Sequence, residues 1–124
     1  MAISKLTALI KLARFHFLIG TSIAYLVGAL IARNETGELK LSALALGALV
    51  VWLVQLTTQF LNEYFDQATD RLNRYRTPFS GGSGVLLTGA LNANAALWAG
   101  IAALLLAVML FLVLTRLRGQ APAP

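Results

Sequence analysis

Three long apolar runs constrain this chain more than any other feature. They cover roughly residues 15–32, 41–61 and 93–114. Each is close to the ~20 residues an α-helix needs to cross the hydrocarbon core of a bilayer. Inside a bilayer every backbone N–H and C=O must find its partner within the protein, so a run of this kind is helical. The expected fold is therefore all-α: a polytopic membrane protein with three transmembrane helices. The composition agrees, with 58% hydrophobic and only 12% charged residues, against about 25% charged in an ordinary soluble domain.

The charge that remains is informative by position. The formal net charge is +5. In a membrane protein such an excess belongs to cytoplasmic loops and to anionic lipid, so no nucleic-acid partner is inferred. Lys5, Lys11, Arg14, Arg71, Arg74 and Arg76 fall on one side of a three-span topology, and Arg33, Lys40, Arg116 and Arg118 on the other. This bias places the N-terminus and the 62–91 loop in the cytoplasm, with the chain in the inner or plasma membrane. The basic stretch before the first run resembles the start of a signal peptide, but the apolar run is too long for one and is read as a retained helix. With no cysteine, disulfides, thiolate chemistry and cysteine–zinc sites are excluded.

The connections differ. Residues 33–40 read as a tight link. Residues 62–91 are long for a passive link and carry three of the five acidic residues, Glu63, Asp66 and Asp70. Residues 116–124 form a Pro/Ala-rich tail, expected to be disordered. Small residues recur in the first span (Gly20, Ser22, Ala24, Gly28) and the second (Ala43, Ala45, Gly47, Ala48), where they allow close helix approach.

The second run does not end cleanly. Carried on as one helix to about Arg74, it puts Gln55, Gln59, Asn62, Asp66, Asp70 and Asn73 within an arc of about 80°. Such groups are costly against lipid, so the stripe lines a cavity, faces a partner helix, or is solvated at the wet end of the span. The spacing Asn62-x-x-x-Asp66-x-x-x-Asp70 stacks two carboxylates and an amide oxygen on one face. Hard oxygen donors so arranged suit Mg²⁺, which takes one or two protein carboxylates and completes its shell with water and phosphate oxygens. Arg71, Arg74 and Arg76 follow directly and can hold phosphate through charge-assisted hydrogen bonds. Ser80-Gly81-Gly82-Ser83-Gly84 reads either as a backbone nest for an anion or as a plain flexible turn. His16, the only histidine, reads as an interfacial residue or as a contact for an acceptor. Trp52 and Trp98 read as packing or interface anchors.

The stretch NEYFDQATDRLNRYRTPFSGGSG (62–84) resembles the first aspartate-rich motif of the UbiA superfamily of intramembrane prenyltransferases, N-D-x-x-D-x-x-x-D. Asn62, Asp66 and Asp70 match, and Glu63 stands in place of the first aspartate. TPFSGGSGVL (77–86) resembles the loop of the MenA-like branch, which prenylates 1,4-dihydroxy-2-naphthoate on the route to menaquinone. The resemblance covers roughly residues 10–115. It implies an enzyme that moves a polyprenyl group from its diphosphate to an aromatic acceptor, with Mg²⁺ as cofactor. It implies Asp66 and Asp70 as catalytic residues and Asn62, Glu63, Asp66 and Asp70 as metal ligands. Asn62, Arg71, Arg74 and Arg76 are expected to contact the diphosphate. Family members also use a second aspartate-rich motif several helices further on, whereas no acidic residue follows Asp70. The chain is accordingly expected to be the N-terminal part of such an enzyme, inactive alone, with the C-terminal part as a separate chain among its expected partners.

Two other readings stand beside this one. A CDP-alcohol phosphotransferase, D-x-x-D-G-x-x-A-R, does not fit, because Thr69 stands three residues after Asp66. A non-catalytic membrane subunit or remnant, its polar helix face paired with a partner, fits the stripe without the chemistry.

Overall fold

The computed structural model describes residues 4–77 and 79–119. Five helices follow in order: α1 (Lys5–Ala13), α2 (His16–Thr36), α3 (Leu41–Phe65), α4 (Gln67–Leu72) and α5 (Ala93–Gly119). No strand occurs among the described residues; one isolated bridge pairs Thr77 with Ser80. Helices α2, α3 and α5 are long and apolar enough to cross a membrane. The molecule is thus the all-α, three-span membrane protein that the apolar runs predict.

The helix ends depart from expectation in several places. The basic N-terminal stretch is a separate short helix, α1. Ser4 caps it by accepting the Thr7 N–H at 3.1 Å, and Arg14 ends it in the left-handed conformation (φ 46°). Its sequence is amphipathic: Ala8 and Leu12 are buried, while Lys5 and Lys11 are exposed. The link after α2 is shorter than expected. α2 continues through Thr36, and Gly37, at φ 72°, closes it with an N–H bond to Arg33, the usual glycine solution at a helix C-terminus. α5 runs on through Gly119, so 116–119 is helix rather than tail; the remainder of the expected tail, 120–124, lies outside the described residues.

The most closely packed pair is α3 and α5. The face of α5 turned to α3 consists of Ala96, Gly100, Ala103 and Ala107, all buried. Their spacing of four, three and four residues keeps them on one side of the helix. A Cβ built on Gly100 would stand 2.9 Å from Leu61 Cδ2 and 3.3 Å from Phe60 Cβ, so the helices approach as closely as glycine permits.

α2 meets α3 through polar staples instead. Tyr25 donates its hydroxyl to Leu44 O at 2.9 Å, Trp52 donates Nε1–H to Ser22 Oγ at 2.8 Å, and Thr21 donates to Gln55 Oε1 at 3.0 Å. Gly47 is where the Tyr25 ring crosses α3, and a Cβ there would overlap the phenol oxygen. Gly20 and Gly28, expected to serve close approach, have nothing within 4 Å. Both are exposed, as are Ile19 and Ile23 on the same helix at 65% and 59%.

The contiguous cluster of buried apolar residues lies away from the middle of the spans. Ala8, Leu12, Val85, Leu91 and Ala96 form it, with Leu9, Phe60, Leu86 and Ala90 packed against it. It joins α1, the loop after α4 and the start of α5 at the C-terminal end of α3. That is the end of the molecule where Glu63, Asp66 and Asp70 lie.

Candidate functional site at the end of the second span

The polar stripe is divided by its surroundings. Gln55 is engaged by Thr21. Gln59 and Glu63, one and two turns further along, are buried at 5% exposure each. Asn62 and Asp66 are exposed, and Asp70 is half-buried. Gln55, Gln59 and Glu63 thus form a line of fourth residues that faces into the bundle, and Asn62 and Asp66 lie beside it on the open side.

The helix also does not run unbroken to Arg74. It pauses at Asp66 (φ −88°, ψ 7°), and α4 ends at Leu72. The pause is slight: Asp66 N–H still bonds Asn62 O and Asp70 N–H still bonds Asp66 O, both at 2.8 Å. The one-face geometry of residues 62, 66 and 70 therefore largely survives. Thr69 contributes to the bend by bonding its hydroxyl to the Asp66 carbonyl at 2.8 Å, the competition for backbone groups that makes threonine a weak helix former.

The glycine-rich segment folds back over these carboxylates. Gly81, Gly82 and Gly84 all have positive φ, between 69° and 82°. At Gly82 the conformation is matched by a close approach, since a Cβ would overlap Asp70 Oδ2 and stand 3.4 Å from Glu63 Oε1. Ser83 donates its backbone N–H to Glu63 Oε1 and its hydroxyl to Glu63 Oε2 at 2.9 Å. Its oxygen in turn accepts the Val85 N–H at 3.2 Å. The segment is therefore neither an empty anion nest nor a free turn: an internal carboxylate already takes the Ser83 N–H. Glu63, expected to assist as a metal ligand, has both carboxylate oxygens engaged by Ser83.

The three arginines after the motif separate. Arg76 donates Nη2–H to the Asp70 carbonyl at 2.9 Å, closing the end of α4, and its side chain lies against Gly81 and Gly84. Arg71 and Arg74 are exposed. Asn73, the last member of the expected stripe, accepts the Tyr75 N–H at 2.9 Å and lies against Gly81.

A fourth arginine, which the motif does not contain, joins the site. Arg14 stands over the Phe17 ring at 4.7 Å and is near enough to Glu63 for its charge to act on that carboxylate, as does the charge of Asp70. A left-handed residue between two helices gives no pattern in sequence, so this placement was not legible there. His16 packs against Phe17 and Phe79, ring centroids 4.5 and 5.0 Å away, and its Nε2 is buried without a hydrogen-bond partner.

The donor set left open for a cation is Asn62, Asp66 and Asp70, all oxygen. No group of three or more His, Cys, Asp or Glu side chains is close enough to hold a metal ion among the described residues. One or two carboxylates suit magnesium bound largely through water and phosphate, and do not suit a structural zinc or an all-protein calcium cage. An apolar cleft between α2 and α3, lined by Tyr25, Leu44, Ala48 and Trp52 among others, lies elsewhere: Trp52 is about 21 Å of helix rise from Asp66. Comparison with protein-family models, curated proteins and solved structures finds no match to this chain.

Proposed function

We propose that the C-terminal end of α3, with α4 and the glycine-rich segment, is a magnesium–diphosphate half-site of a UbiA-type intramembrane prenyltransferase. On this reading the substrate is a polyprenyl diphosphate and the acceptor an aromatic ring such as dihydroxynaphthoate, in menaquinone or quinone synthesis. The observation that carries the proposal is the oxygen set of exposed Asn62 and Asp66 with half-buried Asp70, at four-residue spacing at the end of a membrane span, beside exposed Arg71 and Arg74. The resemblance of residues 62–84 to the family motif supports the same assignment.

The roles follow from placement. Asp66 and Asp70 supply carboxylates for magnesium, and Asn62 supplies its amide oxygen. Arg71 and Arg74 supply mobile positive charge for the phosphate oxygens. Magnesium, when bound, offsets the negative charge that develops on a departing diphosphate. The three spans offer the prenyl chain an apolar surface continuous with the bilayer. Residues 71–124 contain neither Asp nor Glu, so a second carboxylate cluster has to come from another stretch of polypeptide. The Lys/Arg bias assigns the site to the cytoplasmic side.

The full chain in lipid nanodiscs tests this with inorganic diphosphate and with geranyl diphosphate, titrated with Mg²⁺ and with EDTA. Magnesium-dependent binding is expected, and Asp66→Asn is expected to weaken it about tenfold or more. Wild-type chain that binds neither ligand in a magnesium-dependent way sinks the reading.

A further inference from the structure

We infer that Glu63 is a positioning residue rather than a magnesium ligand: its carboxylate clasps Ser83 and so holds the Gly81–Gly82 backbone against Asp70. This rests on the half-site reading for its consequence in ligand binding, though not for the clasp itself.

Four observations converge on it. Glu63 is buried at 5% exposure, whereas a carboxylate that shares magnesium with water and phosphate needs an open side. Both its oxygens accept hydrogen bonds from one residue twenty positions away, Ser83, through N–H and hydroxyl together. The Ser83 hydroxyl also receives the Val85 N–H, and Val85 is in the buried core with Leu12 and Ala96. The clasp therefore connects the acidic helix end to the packed core. Finally, Gly82 sits against Asp70 Oδ2 with no room for a side chain, so the segment that Glu63 anchors fixes the rotamer open to Asp70.

The physical consequence is division of labour within one motif. A buried carboxylate needs its hydrogen bonds, since losing them exposes the full cost of its desolvation. That need makes Glu63 a strong anchor for a glycine-rich segment that would otherwise have wide backbone freedom. Asp70, held by the anchored segment, keeps its position before any ligand arrives, so less ordering remains to be done on binding. Asn62 and Asp66, with no such clasp, are left to meet the metal.

Hydrogen exchange and ligand binding on the same full-chain variants separate the possibilities. Amide exchange in the peptide covering residues 79–86 is expected to rise about tenfold or more in Glu63→Ala. Glu63→Gln, which keeps one acceptor oxygen, is expected to recover much of that protection, and Asp66→Asn to leave it unchanged. Unaltered exchange in Glu63→Ala overturns the clasp. Binding of Mn²⁺ with inorganic diphosphate, read by electron paramagnetic resonance, then tests the role. Glu63→Gln is expected to retain the wild-type Mn²⁺ signal, and Asp66→Asn to lose it. Loss of the signal in Glu63→Gln to the same extent as in Asp66→Asn makes Glu63 a ligand and overturns the inference. If wild type binds no Mn²⁺–diphosphate, the half-site reading fails while the exchange result still decides the clasp. Should Glu63→Ala fail to fold, Ser83→Ala removes the hydroxyl bond alone and is expected to raise the same exchange to a smaller degree; no change there also counts against the clasp.

Discussion

Gly82 and Gly89 share a φ of 69°, yet their surroundings separate two costs that substitution usually mixes. Gly89 has nothing within 4 Å, whereas a Cβ at Gly82 meets Asp70. Gly89→Ala is expected to cost only the conformational penalty, about 1 kcal/mol. Gly82→Ala adds a steric conflict with Asp70 that only a shift of that side chain relieves, for a total of about 2–3 kcal/mol. Thermal unfolding of the two variants in the same detergent checks the difference, and equal losses would mean that the Gly82–Asp70 approach does not constrain the fold. Glu63 makes a similar point about residue identity. It reaches Ser83 with both oxygens, and burial rather than chemistry separates it from Asp66 three positions on.

The two helix interfaces are stabilised in different ways, and they should respond differently to mutation. The α3–α5 contact depends on the absence of side-chain volume at Gly100. Gly100→Leu is expected to destabilise by about 1–3 kcal/mol through overpacking, while Gly28→Leu, which faces outward on α2, should leave unfolding almost unchanged. The α2–α3 contact depends on hydrogen bonds from Tyr25, Trp52 and Thr21. Between membrane helices such bonds contribute modestly, about 0.6 kcal/mol on average, so Tyr25→Phe should cost less than Gly100→Leu. Steric-trapping or denaturant unfolding in micelles measures all three. A larger loss for Tyr25→Phe than for Gly100→Leu would reverse the assignment of which interface depends on close approach.

At the scale of the molecule, the spans leave little buried within their own length, and the core lies at one end, where α1 and the 73–92 loop close over the tip of α3. Ile19, Ile23 and Leu105 are each about 60% exposed or more, among a long series of exposed large apolar side chains on the three spans. Against lipid tails the same faces carry no penalty. The three-span arrangement has a direct consequence for topology. Since the chain has no cysteine, single cysteines introduced at Glu38 and Gly89 should react with an impermeant maleimide from opposite sides of a sealed vesicle. Labelling of both from the same side would exclude three complete spans.

Some of this architecture is visible in the sequence alone, for a physical reason. A predominantly apolar run of about twenty residues has few stable arrangements in water and one common arrangement in a bilayer, so helices α2, α3 and α5 are legible from local composition. The four-residue spacing of Asn62, Asp66 and Asp70 is legible too, because helix periodicity is a local property that survives the slight bend at Asp66. Three features required tertiary structure. The break at Arg14 that separates α1 from α2 depends on a left-handed residue with no sequence pattern. The inner and outer sides of the polar stripe depend on where α2 and α5 dock, which places Gln59 and Glu63 inside and Asn62 and Asp66 outside. The glycine-rich segment has little conformational preference of its own. What decides its place is the buried Glu63 carboxylate twenty residues away, whose need for hydrogen-bond donors is a property of the folded environment and not of any local stretch of chain.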